Sequence, residues 1–122
     1  MRRTFAAATT ALLLAAAPPA RAQERGPGDQ QALADLARVL GESHALRQAC
    51  AGDQDQTWRD RMQALLRVEA PGDALKTRLA VAFNSGFATG RRGFPGCGEA
   101  SRAEAARIAA RGETLAIRLG AP

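Results

Sequence analysis

The residue with the widest chemical range in this chain is His44, the only histidine among 122 residues. A histidine titrates near neutral pH, so it can act as a general acid or base or contact a ligand. Glu42, Arg47 and Glu69 have the side-chain types that would complete a small catalytic site around it. The sequence does not show that they converge, and no second carboxylate stands at a useful spacing from Glu69. A half-buried histidine that is hydrogen-bonded at a helix interface is therefore the favoured interpretation.

A second set of residues has side chains suited to binding a partner. Trp58 and Arg59 pair an aromatic anchor with a charge, although a core tryptophan explains them more simply. Arg91 and Arg92 form the strongest local charge cluster, which could contact lipid headgroups or a cell-wall polymer, although a solvated loop is the favoured reading. Asn84 could contact a partner, or it could simply form a hydrogen bond where two helices cross. The candidate binding residues are Trp58, Arg59, Asn84, Arg91, Arg92 and Phe94.

The composition excludes several kinds of site. One histidine and two cysteines cannot supply four zinc ligands without carboxylates. The chain has no haem-attachment motif and no phosphate-binding glycine loop. Covalent catalysis through a serine would require a nucleophile motif. No such motif surrounds Ser43, Ser85 or Ser101. We therefore predict no metal and no cofactor, and we consider an enzyme less well supported than a binding protein.

The first 22 residues are typical of a secretory signal peptide. Arg2 and Arg3 precede an apolar run over residues 5–17, and Ala20-Arg21-Ala22 has the pattern of a cleavage site. The apolar run is shorter than the roughly 20 residues that a membrane span needs. The sequence predicts a periplasmic or secreted protein, with no transmembrane segment in the mature chain. Sec and twin-arginine export both remain open, and a buried N-terminal helix is the alternative.

Most of the positive charge lies in this leader. The chain has 17 basic and 12 acidic residues, a net charge of +5. Cleavage after Ala22 leaves 100 residues and removes three arginines and no acidic residue, which lowers the net charge to +2. The remaining basic residues form no stripe of the kind that nucleic-acid-binding proteins carry. We therefore predict no nucleic-acid partner.

Cys50 and Cys97 are the only cysteines. An exported protein enters an oxidising compartment, so an intramolecular disulfide is the favoured prediction. Two buried thiols or an intermolecular bridge are the alternatives. Closing this loop would stabilise the fold by roughly 4 kcal/mol in the chain-entropy model. A redox enzyme is disfavoured, because such enzymes usually have their two cysteines in a Cys-x-x-Cys motif, with two residues between them.

Four helices must position these residues. Apolar spacing predicts helices over about 29–50, 54–70 and 73–89, and a fourth from Glu99 or Ser101 to the end of the chain. Ser101-x-x-Glu104 fits a capping box and favours the later start, whereas Gly90 is suited to end the third helix. The predicted organisation is a signal peptide at 1–22, a flexible start at 23–29 and a helical domain at 30–120. The fold predicted is an all-α, up-down four-helix bundle held together by one disulfide.

Two patterns within these helices predict close packing. Gly41 interrupts the first helix and marks either a kink or a close contact with another helix. Ala103, Ala106, Ala110 and Ile108 suggest a face of small residues on the fourth helix, suited to close packing.

Three stretches of the chain carry a resemblance to a known family. They are LGESHALR at residues 40–47 with Cys50 after it, WRDRM at 58–62 with EAP at 69–71, and AFNSGF at 82–87 with Cys97. Together they resemble an uncharacterised family of small secreted alphaproteobacterial proteins with two well-separated cysteines, over residues 33–119. The resemblance implies export and a Cys50–Cys97 bridge, which the residues suggest independently. The family has no assigned activity, so it supplies no catalytic residue.

Two functional hypotheses follow, from different classes of protein. The first is a non-enzymatic binding module of the cell envelope that uses an exposed helix face or a loop at residues 91–98. Its partner would be an envelope protein or a cell-wall component. The alternative is a small, hydrolase-like envelope enzyme centred on His44. A structural or stress-protective role is also compatible with the sequence, and the oligomeric state stays open.

Overall fold

A computed structural model of the protein describes residues 25–120, which form four helices and no strand. This confirms the predicted all-α fold. The signal peptide predicted at residues 1–22 lies outside the described part of the chain. The first helix begins within the segment predicted as a flexible start. The helices are α1 (Pro27–Ala51), α2 (Thr57–Glu69), α3 (Asp73–Gly93) and α4 (Glu99–Gly120).

The longest helix, α1, is the centre of the bundle. Each of the other helices packs against α1, most extensively α3, while the outer helices make few contacts with one another. α3 runs parallel to α1, whereas α2 and α4 run antiparallel to it, which gives the predicted up-down order. The contacts that fix these directions are Gln31–Arg78 and Ala45–Gly90 for α3, Arg25–Glu69 and Arg47–Asp55 for α2, and Gly28–Arg118 and Glu42–Arg111 for α4.

Glycines bring α1 and α3 into backbone contact. A Cβ atom built on Gly41 would lie 2.0 Å from the carbonyl oxygen of Phe83, and one on Gly86 would lie 2.1 Å from that of Arg38. Distances this short are not sterically possible, so only glycine permits the observed separation of the two helices. Gly41 therefore marks a close helix contact, one of the two roles predicted for it.

A third glycine corrects the predicted end of α3. Gly90 lies inside this helix, which continues to Gly93. A Cβ on Gly90 would lie 2.8 Å from the Cβ of Ala45. Gly90 is thus required by the contact with α1 and does not end the helix, so the prediction of a loop beginning at Arg91 was wrong.

Two helix starts differ from the positions that the sequence favours. α4 begins at Glu99, the earlier of its two predicted starts, and Ser101 lies within its first turn, where its hydroxyl accepts a hydrogen bond from the N–H of Gly98 at 2.8 Å. The serine thus reaches back toward the N-cap instead of occupying it. α2 begins at Thr57, three residues later than predicted, and the Asp55 carboxylate accepts a hydrogen bond from the Thr57 N–H at 3.1 Å.

The hydrophobic core surrounds α1 on several sides. Leu33 and Ala37 are fully buried in a cluster with Leu79 and Phe83 of α3 and Met62 of α2. A smaller cluster joins Val39 and Leu46 to Ile108 of α4, with Phe94 packed against it. Of the face predicted to pack closely on α4, only Ile108 is buried in the core, and the prediction was wrong for Ala103, Ala106 and Ala110, which are exposed.

The bundle is fastened at both ends of α1. At one end Cys50 and Cys97 form the predicted disulfide, with their Cα atoms 4.7 Å apart and both residues exposed. At the other end the Arg25 guanidinium donates to both carboxylate oxygens of Glu69, at 2.7 and 2.9 Å, and to the carbonyl oxygen of Leu119 at 3.0 Å. The arginine therefore joins the last turns of α2 and α4 to the start of α1.

We expect Gly41→Ala to lower the free energy of unfolding by about 3 kcal/mol, because the added methyl forces the α1 and α3 backbones apart. Gly93→Ala is the matched control, since nothing lies within 4 Å of a Cβ placed there. Urea denaturation measures both. Equal stability of the two variants would contradict the close contact.

Reduction of the Cys50–Cys97 bridge should lower the free energy of unfolding by about 4 kcal/mol, because the unfolded chain regains the freedom of a long closed loop. Thermal melts with and without reductant measure the change. The double variant Cys50→Ser/Cys97→Ser should melt like the reduced protein and ignore the reductant. A reductant-dependent melt of that double variant would show that the effect has another origin.

Candidate functional site

An apolar groove of about 550 Å³ runs over α1 between α2 and α4. Its floor is formed by Leu36, Val39 and Leu40 of α1, with Ser43 beside them. The wall contributed by α2 includes Trp58, Leu65 and Val68, and the wall contributed by α4 includes Ala109, Gly112 and Ala116. Arg61 and Glu113 are its charged lining residues.

The groove exists because α2 and α4 both pack on α1 and make few contacts with each other. Gly112 allows α4 to lie close to α1, since a Cβ on it would be only 3.0 Å from Val39 Cγ1. The walls are nevertheless open to solvent: Val68 is 77% exposed, and Ala109 and Ala116 are exposed. An exposed concave surface with apolar walls is typical of a binding site.

One of the residues predicted to bind a partner, Trp58, lines this groove. Its ring is half-buried against the core, and the Arg61 guanidinium lies 4.3 Å from its centroid. Arg59, predicted alongside it, is exposed and is not one of the groove's lining residues. Sequence reasoning missed Arg61 and the alanines of α4. The spacing of Ala109 and Ala116, seven residues apart on one helix face, was the available signal.

His44 is buried, with only 3% of its surface exposed, and it does not line the groove. Its ring lies 5.2 Å from that of Phe87 and 5.8 Å from that of Phe83, measured between centroids. The prediction of a half-buried, hydrogen-bonded histidine was therefore wrong on burial, and the Nδ1 atom has no hydrogen-bond partner among the described residues. Burial lowers the pKa of His44, the positive charge of Arg59 lowers it further, and Asp55 opposes the shift. The imidazole is therefore held neutral at a helix interface.

The structure does not bring the predicted catalytic residues together. The Glu42 carboxylate accepts a hydrogen bond from Arg111 at 2.9 Å, and Arg47 donates to Asp55 at 2.9 Å. Glu69 is paired with Arg25 at the opposite end of α1 from His44. The seventeen residues of helical rise from Pro27, the first residue of α1, to His44 span about 26 Å. Glu69 therefore cannot act on a group bound at His44.

The remaining predicted binding residues lie around α3. Asn84 is exposed on the helix surface. Arg91 and Arg92 occupy the last turn of α3, where the Arg91 guanidinium lies 5.5 Å from the Phe87 ring centroid. Phe94 is half-buried and packs against the smaller core cluster, so its ring faces inward. Arg91 and Phe94 share a polar hollow of about 290 Å³ beside Asp53.

Within residues 25–120, no group of three or more histidine, cysteine, aspartate or glutamate residues is placed to hold a metal ion. In the same part of the chain, no helix combines the length and the apolar character needed to cross a bilayer.

The buried imidazole should make the stability of the fold depend on pH. In the unfolded chain His44 titrates near its ordinary value of 6.5, whereas burial lowers its pKa in the folded protein. Below pH 6.5 the unfolded chain binds a proton that the folded protein does not, so the free energy of unfolding falls by up to about 1.4 kcal/mol per pH unit. The loss ends below the folded pKa, and above pH 6.5 the histidine contributes no slope.

Urea denaturation between pH 5 and pH 8 measures this slope. His44→Leu places an apolar side chain against Phe83 and Phe87. In this variant the free energy of unfolding should no longer fall with pH just below pH 6.5 because of this residue. An unchanged slope in that variant would show that other groups are responsible.

Comparisons with known proteins were made over the whole chain. No curated protein and no solved structure matches it. A family described as "Protein of unknown function (DUF2385)" matches residues 28–121. These residues include both cysteines and all four helices, apart from the first residue of α1. The groove, the α1–α3 contact and the disulfide all lie within the matched residues. This chain therefore belongs to the DUF2385 family.

Proposed function

We propose that this protein is an exported binding module of the cell envelope that holds its ligand or partner in the groove between α2 and α4, without catalysing a reaction. The observation that carries the proposal is the groove itself, a concave surface of about 550 Å³ whose walls are apolar and exposed. Its volume lies within the roughly 300–1,000 Å³ typical of small-molecule sites. The walls belong to helices fastened at both ends of α1, so the site is largely formed before anything binds.

Export is supported by the leader and by the disulfide. A signal peptide at residues 1–22 would send the chain to an oxidising compartment, and both Cys50 and Cys97 are exposed. An exposed disulfide persists most readily outside the reducing cytosol. The Cys50–Cys97 disulfide is thus compatible with a periplasmic or secreted protein.

The hydrolase-like alternative centred on His44 has less support. The imidazole is enclosed by the rings of Phe83 and Phe87, and the carboxylates predicted to assist it are engaged elsewhere in ion pairs. A general base must come within hydrogen-bond reach of its substrate. No observation on the described residues places a substrate beside His44.

The protein should first be purified from its own host and its mass recorded in native and denatured form. The denatured mass tests cleavage after Ala22 and the loss of two protons in the disulfide. The native mass should exceed it by a bound molecule or partner. Ala109→Phe/Ala116→Phe, which fills the groove from its exposed wall, should lose this added mass.

Ala106→Phe is the matched control, since Ala106 is exposed on α4 outside the groove lining. It should retain the bound mass and the melting temperature. Retention of the same bound mass by the groove-filling variant would contradict the proposed site, whatever the identity of the molecule.

A further inference from the structure

We propose that the ligand of the α2–α4 groove is a single-chain zwitterionic amphiphile, of the chemical class of lysophospholipids. The inference rests on the proposed function, since it names the ligand of that same site. The dimensions of the groove, the two charges on its walls and the chemistry of its lining all favour such a ligand.

The dimensions favour one thin chain. Trp58 and Val68 mark the extent of the α2 wall, and ten residues of helical rise between them span about 15 Å. A partner helix is about 10 Å wide along its whole length, and the walls of the groove are open to solvent. A helix would therefore insert only one face, whereas a single acyl chain can be enclosed along most of its length.

The lining favours an alkyl tail. The α1 floor is built mainly from leucine and valine, and the α4 wall presents only backbone and methyl groups on either side of Glu113. Burial of one methylene group contributes about 0.8 kcal/mol. Affinity should therefore rise roughly four-fold with each methylene until the tail fills the groove.

The two charged lining residues favour a head group that carries both signs. Arg61 stands on the α2 wall and Glu113 on the facing α4 wall, and no ion pair within residues 25–120 joins them. The Arg61 guanidinium lies over Trp58 at the beginning of α2. A phosphate can approach Arg61 while an ammonium group approaches Glu113. A purely anionic head would meet Glu113, and a purely cationic head would meet Arg61.

The chain carries its own reporter for this site. Trp58 is the only tryptophan in the sequence and is part of the groove wall. A tail that replaces water beside the indole should shift its emission to shorter wavelength. The binding signal thus comes from the groove and from no other part of the protein.

The experiment titrates the protein purified from its host with alkylphosphocholines of eight, ten and twelve carbons, each below its micelle concentration. We expect the dissociation constant to fall about fifteen-fold for each two methylenes added. Arg61→Gln and Glu113→Gln should each weaken binding by roughly two- to five-fold, as exposed charge pairs do. Arg102→Gln and Glu99→Gln, which alter two exposed charges outside the groove lining, are the matched controls and should bind as the unaltered protein does.

Three results would overturn the inference. The first is equal affinity for alkyl sulfates, alkyltrimethylammonium ions and alkylphosphocholines of the same length. The second is binding to phosphatidylcholine vesicles without binding to the monomeric amphiphile, which would identify a membrane surface as the target. The third is a native mass of two chains that falls to one in Ala109→Phe/Ala116→Phe, which would identify a second copy as the occupant.

The same variants separate this inference from the proposed function. If alkylphosphocholines fail to bind while the host-purified protein carries another molecule that Ala109→Phe/Ala116→Phe loses, the groove is a binding site and the ligand class is wrong. If the groove-filling variant binds amphiphiles and the host molecule unchanged, both proposals fail.

Discussion

The contact between the backbones of α1 and α3 determines how the other helices can be arranged. Gly41 on α1 and Gly86 on α3 remove the side chains that would hold the two helices apart. One side of α1 is thereby committed to α3. α2 and α4 must then pack on the remaining surface of α1, at positions where they make few contacts with each other. The groove between them is a consequence of this arrangement and requires no separate structural element.

This arrangement also explains the composition of α1. Its buried residues include neighbours in sequence such as Ala32, Leu33 and Ala34, which point in different directions around the helix. A helix that is apolar on several sides needs partners on several sides. The small residues permit this crowding, and Ser43 and His44 are enclosed together with them. The packing of α1 therefore determines where the Nδ1 atom of His44 lies, and burial there favours the neutral form of the imidazole.

Much of the fold could be predicted from the sequence. Apolar periodicity located all four helices, and two cysteines with a leader predicted the bridge. Helix ends were harder, because Gly90 satisfies both a helix-ending pattern and a close packing contact, and only the position of Ala45 decides between them. The site was harder still. A groove forms where two helices fail to meet, and that property belongs to no single residue. Trp58 was identified as a binding candidate because aromatic side chains act as anchors, but the alanines opposite it have no chemistry of their own.

The two ends of α4 are held by different chemistry. A covalent bond lies just before its start, through Cys97, and a hydrogen bond from Arg25 holds the carbonyl of Leu119 near its end. Because both ends of α4 are attached, the helix cannot move away from α1 as a rigid body. It can only bow outward at mid-length, where Gly112 rests on Val39. The distance between α4 and α1 at mid-length therefore depends on the packing at Gly112, whereas both ends of α4 are attached to other parts of the chain. Loss of either the disulfide or the Arg25 hydrogen bond would leave α4 attached at one end only.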